Sequence, residues 1–378
     1  MGEGTGGGWR RAGLAGAALG VLAAGAAAGV AVERLTVSRS VRRKARLALD
    51  ATGPYGALRG TPDRALADDG TTLAYETDET DEAGETDGTT GGPGAVTVVF
   101  SHGFCLNQDS WHYQRAALRG RVRTVFWDQR GHGRSGRGED GPVTIDLLGR
   151  DLKAVIDAAA PEGPLVLVGH SMGGMTVMAL AERYPELVRD RVVGIALVGT
   201  SSGRLEEVSY GLPLAGVNAV RKVLPGVLRA LGSQTELVEK GRRATADLFA
   251  GLVKKYSFAS GDVDPAVVRF AERMIESTPV DVVASFYPAF GEHDKREALA
   301  VFRGLPALAL AGDRDLVTPA SHTEAIAAEL PGAEAVVVPD AGHLVMLERP
   351  AAVTGALVRL LARAGAVPSD SGEDPDNG

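Results

Sequence analysis

The chain has 378 residues, of which 44% are hydrophobic and 23% are charged, the composition of an ordinary globular protein. Its net charge of −8 comes from two acidic runs, residues 76–87 and 370–378; removing their 11 acids from the 48 Asp and Glu leaves 37, against 40 Lys and Arg. The near-neutral remainder has no basic face, so nucleic-acid binding is not predicted. The single cysteine excludes an intrachain disulfide, and the lack of CxxC or HExxH spacing gives a zinc site no support.

An apolar stretch flanked by basic residues lies near the start of the chain. Residues 12–32 are 21 consecutive uncharged residues, enough to cross a bilayer as a helix. Arg10 and Arg11 precede the stretch, and six bases follow it within 15 positions. Because the more positive flank normally stays in the cytoplasm, we predict an uncleaved anchor with the catalytic domain, on its carboxyl side, in the cytoplasm. The alternatives are an exporting signal peptide of the twin-arginine type and a weakly membrane-associated helix.

The following elements alternate between strands and helices. Residues 64–77 predict a hairpin that turns at Asp69-Gly70, and the acidic residues 78–95 predict a disordered loop. Helix-like segments such as 143–160 and 172–184 then separate most of a series of apolar, strand-like runs. These runs lie at 96–101, 122–127, 164–169, 192–198, 305–311 and 335–339. The alternation predicts a mostly parallel central sheet with helices on both faces.

The alternation is interrupted once, by a long insertion. About a hundred residues of helical character, divided by prolines, separate the strand-like runs 192–198 and 305–311. We predict that residues 203–298 form a helical cap. Most of its Leu and Phe side chains are expected to pack its own helices, and a few to line an apolar ligand pocket.

Glycine-rich and polar motifs follow the strand-like runs, at the edge where a parallel sheet binds its ligands. Ser171 lies in GHSMG, between a strand-like run and a helix-like segment, as is typical of a nucleophile elbow. Asp315 follows the run 305–311, and His343 follows the run 335–339. A serine hydroxyl needs an adjacent base, which a histidine oriented by a carboxylate provides. The alternative for the glycine-rich motif is a packing turn without chemistry.

Five segments resemble the cap-bearing, serine-nucleophile branch of the α/β-hydrolase superfamily, over residues 61–367. They read SHGF, DQRGHGRS, GHSMGG, GDRDLVTP and AGHLVMLERP. The resemblance implies an α/β-hydrolase fold in which Ser171 is the nucleophile, His343 the general base and Asp315 the residue that orients the imidazole. The backbone N–H groups of Phe104 and Met172 are expected to form the oxyanion hole.

Two carboxylates and a thiol compete for these roles. Asp313 lies two positions before Asp315, and the spacing of the family favours Asp315. Asp340 is predicted to be a turn residue, because it precedes His343 too closely to reach the far ring nitrogen. Cys105 lies near the oxyanion loop but lacks an elbow.

The remaining histidines near the motifs are predicted to have structural roles. His102 and His132 are expected to bond backbone groups in the strand-end loops, and His170 to pack beside the nucleophile. His293 and His322 show no partner pattern and are expected on the surface or in loops.

The predicted organisation has seven parts in chain order. These are a flexible N-terminus (1–11), an anchor (12–32), a basic segment (33–60), the first part of the hydrolase core (61–202), the cap (203–298), the second part of the core (299–367) and an acidic disordered tail (368–378).

The predicted function is that of a serine hydrolase without metal or cofactor. It would cleave a small-molecule carboxylic ester with an apolar acyl or alcohol group through an acyl-enzyme, since the cap carries no charge cluster to select a charged substrate. The same triad could serve perhydrolysis, carbon–carbon bond hydrolysis or amide hydrolysis, and a non-catalytic relative would be a binding module. Ser171 argues against epoxide hydrolases and haloalkane dehalogenases, which have an aspartate at the elbow.

Overall fold

A mostly parallel eight-stranded sheet forms the centre of the protein. The computed structural model describes residues 55–81, 95–138, 143–213 and 255–368, with Val217, Asn218, Lys222 and Gly226 between them. The strands are β1 (Thr61–Leu66), β2 (Thr72–Asp78), β3 (Thr97–Ser101), β4 (Arg123–Trp127), β5 (Leu165–His170), β6 (Val192–Val198), β7 (Ala307–Gly312) and β8 (Glu334–Val338). They lie in the order β1-β2-β4-β3-β5-β6-β7-β8, with antiparallel pairing only from β1 through β2 to β4.

The strands form where apolar runs were predicted, because side chains on both faces of the sheet are buried. Every residue of β3, β5 and β7 is buried. The predicted hairpin is also confirmed: Leu66 pairs with Thr72, and the turn between them contains Gly70 at a φ of 80°.

Helices cover both faces of the sheet, as predicted. On one face, α2 (Ile145–Ala159), α3 (Met172–Arg183) and α7 (Ala320–Glu329) pack against the sheet, with α4 (Pro185–Arg191) beside them. On the other face lie α1 (His112–Leu118), the one-turn α8 (Val345–Glu348) and α9 (Pro350–Arg363). Their buried Leu, Val and Ile side chains form two cores separated by the sheet.

The chain between β6 and β7 is helical where the structure describes it. It contains a short 3₁₀ helix (Leu205–Glu207), α5 (Pro265–Ser277), α6 (Val280–Gly291) and a second 3₁₀ helix (Glu297–Phe302). Much of the predicted cap between residues 214 and 254 lies outside the described residues. The bounds 203–298 therefore stay a prediction.

The first residues of the predicted disordered loop, which was expected to begin at residue 78, are ordered. Asp78 is the last residue of β2, and its side chain and that of Glu76 are buried. Asp78 Oδ2 lies 2.7 Å from Arg115 Nε, and Glu76 Oε2 lies 2.8 Å from Arg115 Nη1. Two residues further on, Thr80 bridges to Gly120. The acidic composition indicated a solvated loop, but a buried arginine from α1 neutralises the first of these acids.

Part of the predicted basic segment, before residue 61, packs against the folded domain. Tyr55, in the predicted basic segment, stacks on Phe270 of α5 at 5.6 Å between ring centroids. Within the described ranges, no helix is long and apolar enough to cross a membrane. The predicted anchor at 12–32, the N-terminus before it and most of the acidic tail lie outside those ranges.

Candidate active site

Ser171 lies in a sharp turn between β5 and α3. Its backbone has a φ of 52° and a ψ of −118°, a strained conformation for a residue with a side chain. A Cβ added to Gly169 would lie 2.5 Å from the carbonyl carbon of Gly173, and one added to Gly173 would lie 2.1 Å from the carbonyl oxygen of Ser101. Only glycine at these two positions lets strand and helix approach so closely. The local geometry is that of a nucleophile elbow.

The three predicted triad residues meet at the carboxyl ends of the parallel strands. Ser171 Oγ is 2.9 Å from His343 Nε2, and His343 Nδ1 is 2.8 Å from Asp315 Oδ2. The exposed fraction is 8% for Ser171, 9% for His343 and 4% for Asp315. The imidazole thus bridges the hydroxyl and the carboxylate, an arrangement in which it can accept the serine proton.

The Asp315 carboxylate is held by the turn that follows it. Oδ1 accepts the N–H groups of Val317 and Thr318 at 2.8 Å and 2.9 Å, and Oδ2 accepts the Thr318 hydroxyl at 3.0 Å. Burial opposes ionisation, but attraction to His343 and these hydrogen bonds outweigh it, so the pKa of Asp315 lies below its ordinary value. Sequence analysis missed Thr318, although GDRDLVTP places it three residues after the aspartate.

The competing groups do not replace members of this arrangement. Asp313 is exposed, and its Oδ1 accepts the N–H of Ala341 at 3.2 Å. Asp340 has a φ of 51° and pairs with Arg314, as expected of a turn residue. Burial raises the pKa of Cys105 to about 12, so its thiol keeps its proton at neutral pH and is a poor nucleophile.

The two predicted oxyanion donors flank Ser171. Met172 is the first residue of α3, where a backbone N–H has no intrahelical acceptor. The loop that carries Phe104 passes so close that a Cβ on Gly103 would lie 3.2 Å from Ser171 Cβ. The described part of the chain provides no hydrogen-bond acceptor for the N–H of Phe104 or of Met172. Both groups can therefore receive an oxyanion.

His102 and His132 bond backbone groups, as predicted. His102 Nδ1 donates to the carbonyl of Gly103 at 2.7 Å, and Nε2 accepts the N–H of Gln129 at 2.9 Å. His132 Nδ1 donates to the carbonyl of Arg130 at 2.9 Å, and Nε2 accepts the N–H of Cys105 at 3.1 Å. The two neutral rings thereby join the loop that carries Phe104 to the loop that follows β4.

The predictions for His170, His293 and His322 differ in how well they agree with the structure. His170 packs beside the site, and its Nε2 donates to the carbonyl of His343 at 2.9 Å. His293 lies in a loop as expected, but it is only 5% exposed and donates to the Ser201 carbonyl. The prediction for His322 is wrong: it is partly buried in α7, 2.8 Å from Ser201 Oγ. Sequence spacing gives no sign of these contacts across the fold.

We expect these buried rings to make stability depend on pH. Burial lowers the pKa of His102 to about 4 and is the largest cause that lowers those of His132 and His170 to about 3. In the unfolded chain the pKa of a histidine is about 6.5. As the pH falls from about 6.5 toward 4, the unfolded state binds protons that the folded state excludes. The free energy of unfolding should therefore fall by about 1.4 kcal/mol per pH unit for each ring. Urea unfolding at pH 7.5 and pH 5.0 measures this, and equal stabilities would contradict it.

Comparison with known proteins places this chain in a family. The family model described as the α/β-hydrolase fold matches residues 96–350, about two thirds of the chain. The chain belongs to the α/β-hydrolase fold family. This membership confirms the predicted fold class.

Three similar proteins illustrate the range of this α/β-hydrolase family. The chain is 29% identical over 264 residues to the dihydrolipoyllysine-residue acetyltransferase component of the acetoin cleaving system of Pseudomonas putida, covering 68% of this chain and 61% of that relative. It is 30% identical to the sn-1-specific diacylglycerol lipase ABHD11 of Mus musculus, covering 70% and 80% of the respective chains. The structure of a thermophilic esterase from Thermogutta terrifontis superposes with a TM-score of 0.61 at 26% identity, covering 80% and 99%. The chain thus spans less than two thirds of the first relative's length.

Proposed function

We propose that this hydrolase cleaves a carboxylic ester through Ser171, His343 and Asp315. The observation that carries the proposal is the 2.9 Å contact between Ser171 Oγ and His343 Nε2, made at a strained elbow. The esterase from Thermogutta terrifontis, at 26% identity, supports ester chemistry on this fold. The direct test is turnover of p-nitrophenyl esters of increasing chain length. Failure to hydrolyse any of them would contradict the proposal.

In the proposed reaction, His343 Nε2 takes the proton of Ser171 as Oγ bonds to the ester carbonyl carbon. The negative charge that develops on the carbonyl oxygen is stabilised by the N–H groups of Phe104 and Met172, each worth about 2.7–4 kcal/mol in the transition state. Collapse breaks the bond to the alcohol, which takes the proton from His343. Water then attacks the acyl-enzyme by the same proton transfers and releases the acid. Throughout, Asp315 stabilises the imidazolium and holds its tautomer.

The side chains around the oxyanion donors favour an apolar group on the ester. Phe104 packs against two rings of α6, those of Phe286 at 5.8 Å and Phe290 at 5.1 Å between centroids. Met172 belongs to the same apolar cluster, whose other buried members include Leu148, Met175, Leu205, Val208 and Val282. Apolar surroundings with a few polar groups are typical of small-molecule sites.

We expect α6 to limit the length of the acyl chain. Phe290→Ala removes a partly buried ring and leaves space beside Phe104, whose backbone N–H is a proposed oxyanion donor. The ratio of kcat/KM for p-nitrophenyl octanoate to that for the acetate should rise about tenfold, the range in which one or two methylene contacts discriminate. Phe270→Ala is the matched control, since this ring packs in the core on the other face of the sheet. An unchanged ratio in Phe290→Ala would place the acyl chain elsewhere.

Membrane anchoring through residues 12–32 is a further part of the proposal. It is supported by the length of the apolar stretch and by the bases that follow it. The full-length protein should fractionate with membranes, and protease added to intact protoplasts should leave it uncut. A mature protein in the medium that starts near residues 29–33 would instead identify an exporting signal peptide.

A further inference from the structure

Glu348 has a buried carboxylate that bonds backbone groups of two separate segments. Its Oε2 accepts the N–H of Gly342 at 2.6 Å. Its Oε1 accepts the N–H groups of Ser260 at 2.7 Å and of Ala259 at 3.1 Å. The residue is 6% exposed, and no cationic side chain in the described ranges pairs with it. Backbone dipoles therefore solvate this charge, which makes the three hydrogen bonds strong and costly to lose.

The two segments belong to different parts of the molecule. Gly342 lies in the loop from β8 to α8, directly before His343. The other segment, residues 255–260, leads toward α5 within the predicted cap. A second bond joins the same two segments, from the N–H of Leu344 to the carbonyl of Ser257 at 2.9 Å. They are packed so tightly that a Cβ on Gly342 would lie 2.9 Å from that carbonyl oxygen.

These bonds hold the backbone of His343 from both sides. The N–H of Gly342, the residue before it, is bonded to Glu348, and the carbonyl of His343 accepts a hydrogen bond from His170 Nε2 at 2.9 Å. Asp315 fixes only the ring. The distance from His343 Nε2 to Ser171 Oγ therefore depends on where Glu348 holds the loop.

We propose that Glu348 is a positioning residue that couples the location of His343 to the cap segment 255–260. This rests on the proposed function for the role of His343. A shift of the cap segment moves two of the three donors on the carboxylate, so the carboxylate transmits the shift to Gly342, the residue before the histidine. Small displacements of a base matter because a misplacement of about 1 Å can lower a rate about 10²-fold.

Glu348→Gln tests the effect on catalysis. The amide keeps the size of the side chain and one acceptor oxygen, but its NH₂ group cannot accept the N–H that the second oxygen binds. We expect kcat for p-nitrophenyl acetate to fall about 10²-fold with little change in KM, because positioning of the base fails while substrate contacts remain. Glu324→Gln, an exposed glutamate of α7, is the matched control and should keep wild-type kcat. A rise in KM at constant kcat would overturn the proposal.

Hydrogen exchange tests the coupling without any turnover. In Glu348→Gln, peptides covering residues 256–261 and 340–346 should both exchange faster, while β5 and β6 keep their protection. Faster exchange in only one of the two peptides would show that the segments are not coupled. If Glu348→Gln does not fold, Glu348→Asp keeps the charge on a shorter side chain and should show both effects in weaker form; wild-type exchange and wild-type kcat in Glu348→Asp would contradict the proposal. Failure of ester hydrolysis in the wild-type protein would refute the proposed function but leave this exchange result to decide the coupling.

Discussion

Replacing Ser171 by alanine is expected to lower kcat for p-nitrophenyl esters about 10⁶-fold, the loss seen when the nucleophile of a Ser–His–Asp triad is removed. The hydroxyl is the only group within hydrogen-bond distance of His343 Nε2 in the described structure, so no neighbouring group can replace it. Alanine keeps the Cβ and can adopt the same backbone conformation. The fold should therefore be retained, with a thermal midpoint close to that of the wild type.

The control for this variant is Ser321→Ala, an exposed serine in the first turn of α7, which should keep full activity. Steady-state kinetics and thermal unfolding on both variants separate loss of chemistry from loss of fold. A Ser171→Ala protein that is folded and retains more than a trace of turnover would mean that another residue attacks the ester.

Replacing Asp315 by asparagine is expected to lower kcat by as much as about 10⁴-fold. The carboxylate accepts the Nδ1–H of His343, while its other contacts come from the N–H groups of Val317 and Thr318 and from the Thr318 hydroxyl. An asparagine NH₂ turned toward His343 would favour the tautomer with its proton on Nε2, which cannot accept the proton of Ser171. Loss of the negative charge also removes the stabilisation of the imidazolium.

Asp313→Asn is the matched comparison, since it makes the same chemical change two residues away. Asp313 is exposed, and its side chain accepts only the N–H of Ala341 among the described residues, so a loss of less than about tenfold is expected. Kinetics of the two variants side by side test the assignment. A larger loss in Asp313→Asn than in Asp315→Asn would show that the role was assigned to the wrong aspartate.

The sheet could be predicted from the sequence because a parallel strand that is buried on both faces consists almost entirely of apolar residues. The bounds of β3 to β7 lie within two residues of the predicted runs for this reason. The meeting of Ser171, Asp315 and His343 followed from a second rule, since each residue lies within five residues of the end of a strand and parallel strands end at one edge.

Contacts that join distant segments could not be predicted. Glu76 and Asp78 resemble the solvated acids that follow them, and only Arg115, from another element, explains their burial. Ser201 contacts both His293 and His322, which lie about a hundred residues further along the chain. Glu348 lies within a motif that the sequence singled out, but its hydrogen bonds to Ala259 and Ser260 depend on how the cap segment returns to the sheet.

The most direct test of the central claim is to label the protein with a fluorophosphonate and locate the adduct by peptide mass spectrometry. The reagent phosphonylates a serine only where a base removes its proton and an oxyanion hole receives the charge. We predict one adduct, on the peptide that contains Ser171, which is absent from Ser171→Ala and slow to form in Asp315→Asn. An adduct that persists in Ser171→Ala, with Cys105 the first residue to examine, or no adduct on the folded wild-type protein, would contradict Ser171 as the nucleophile.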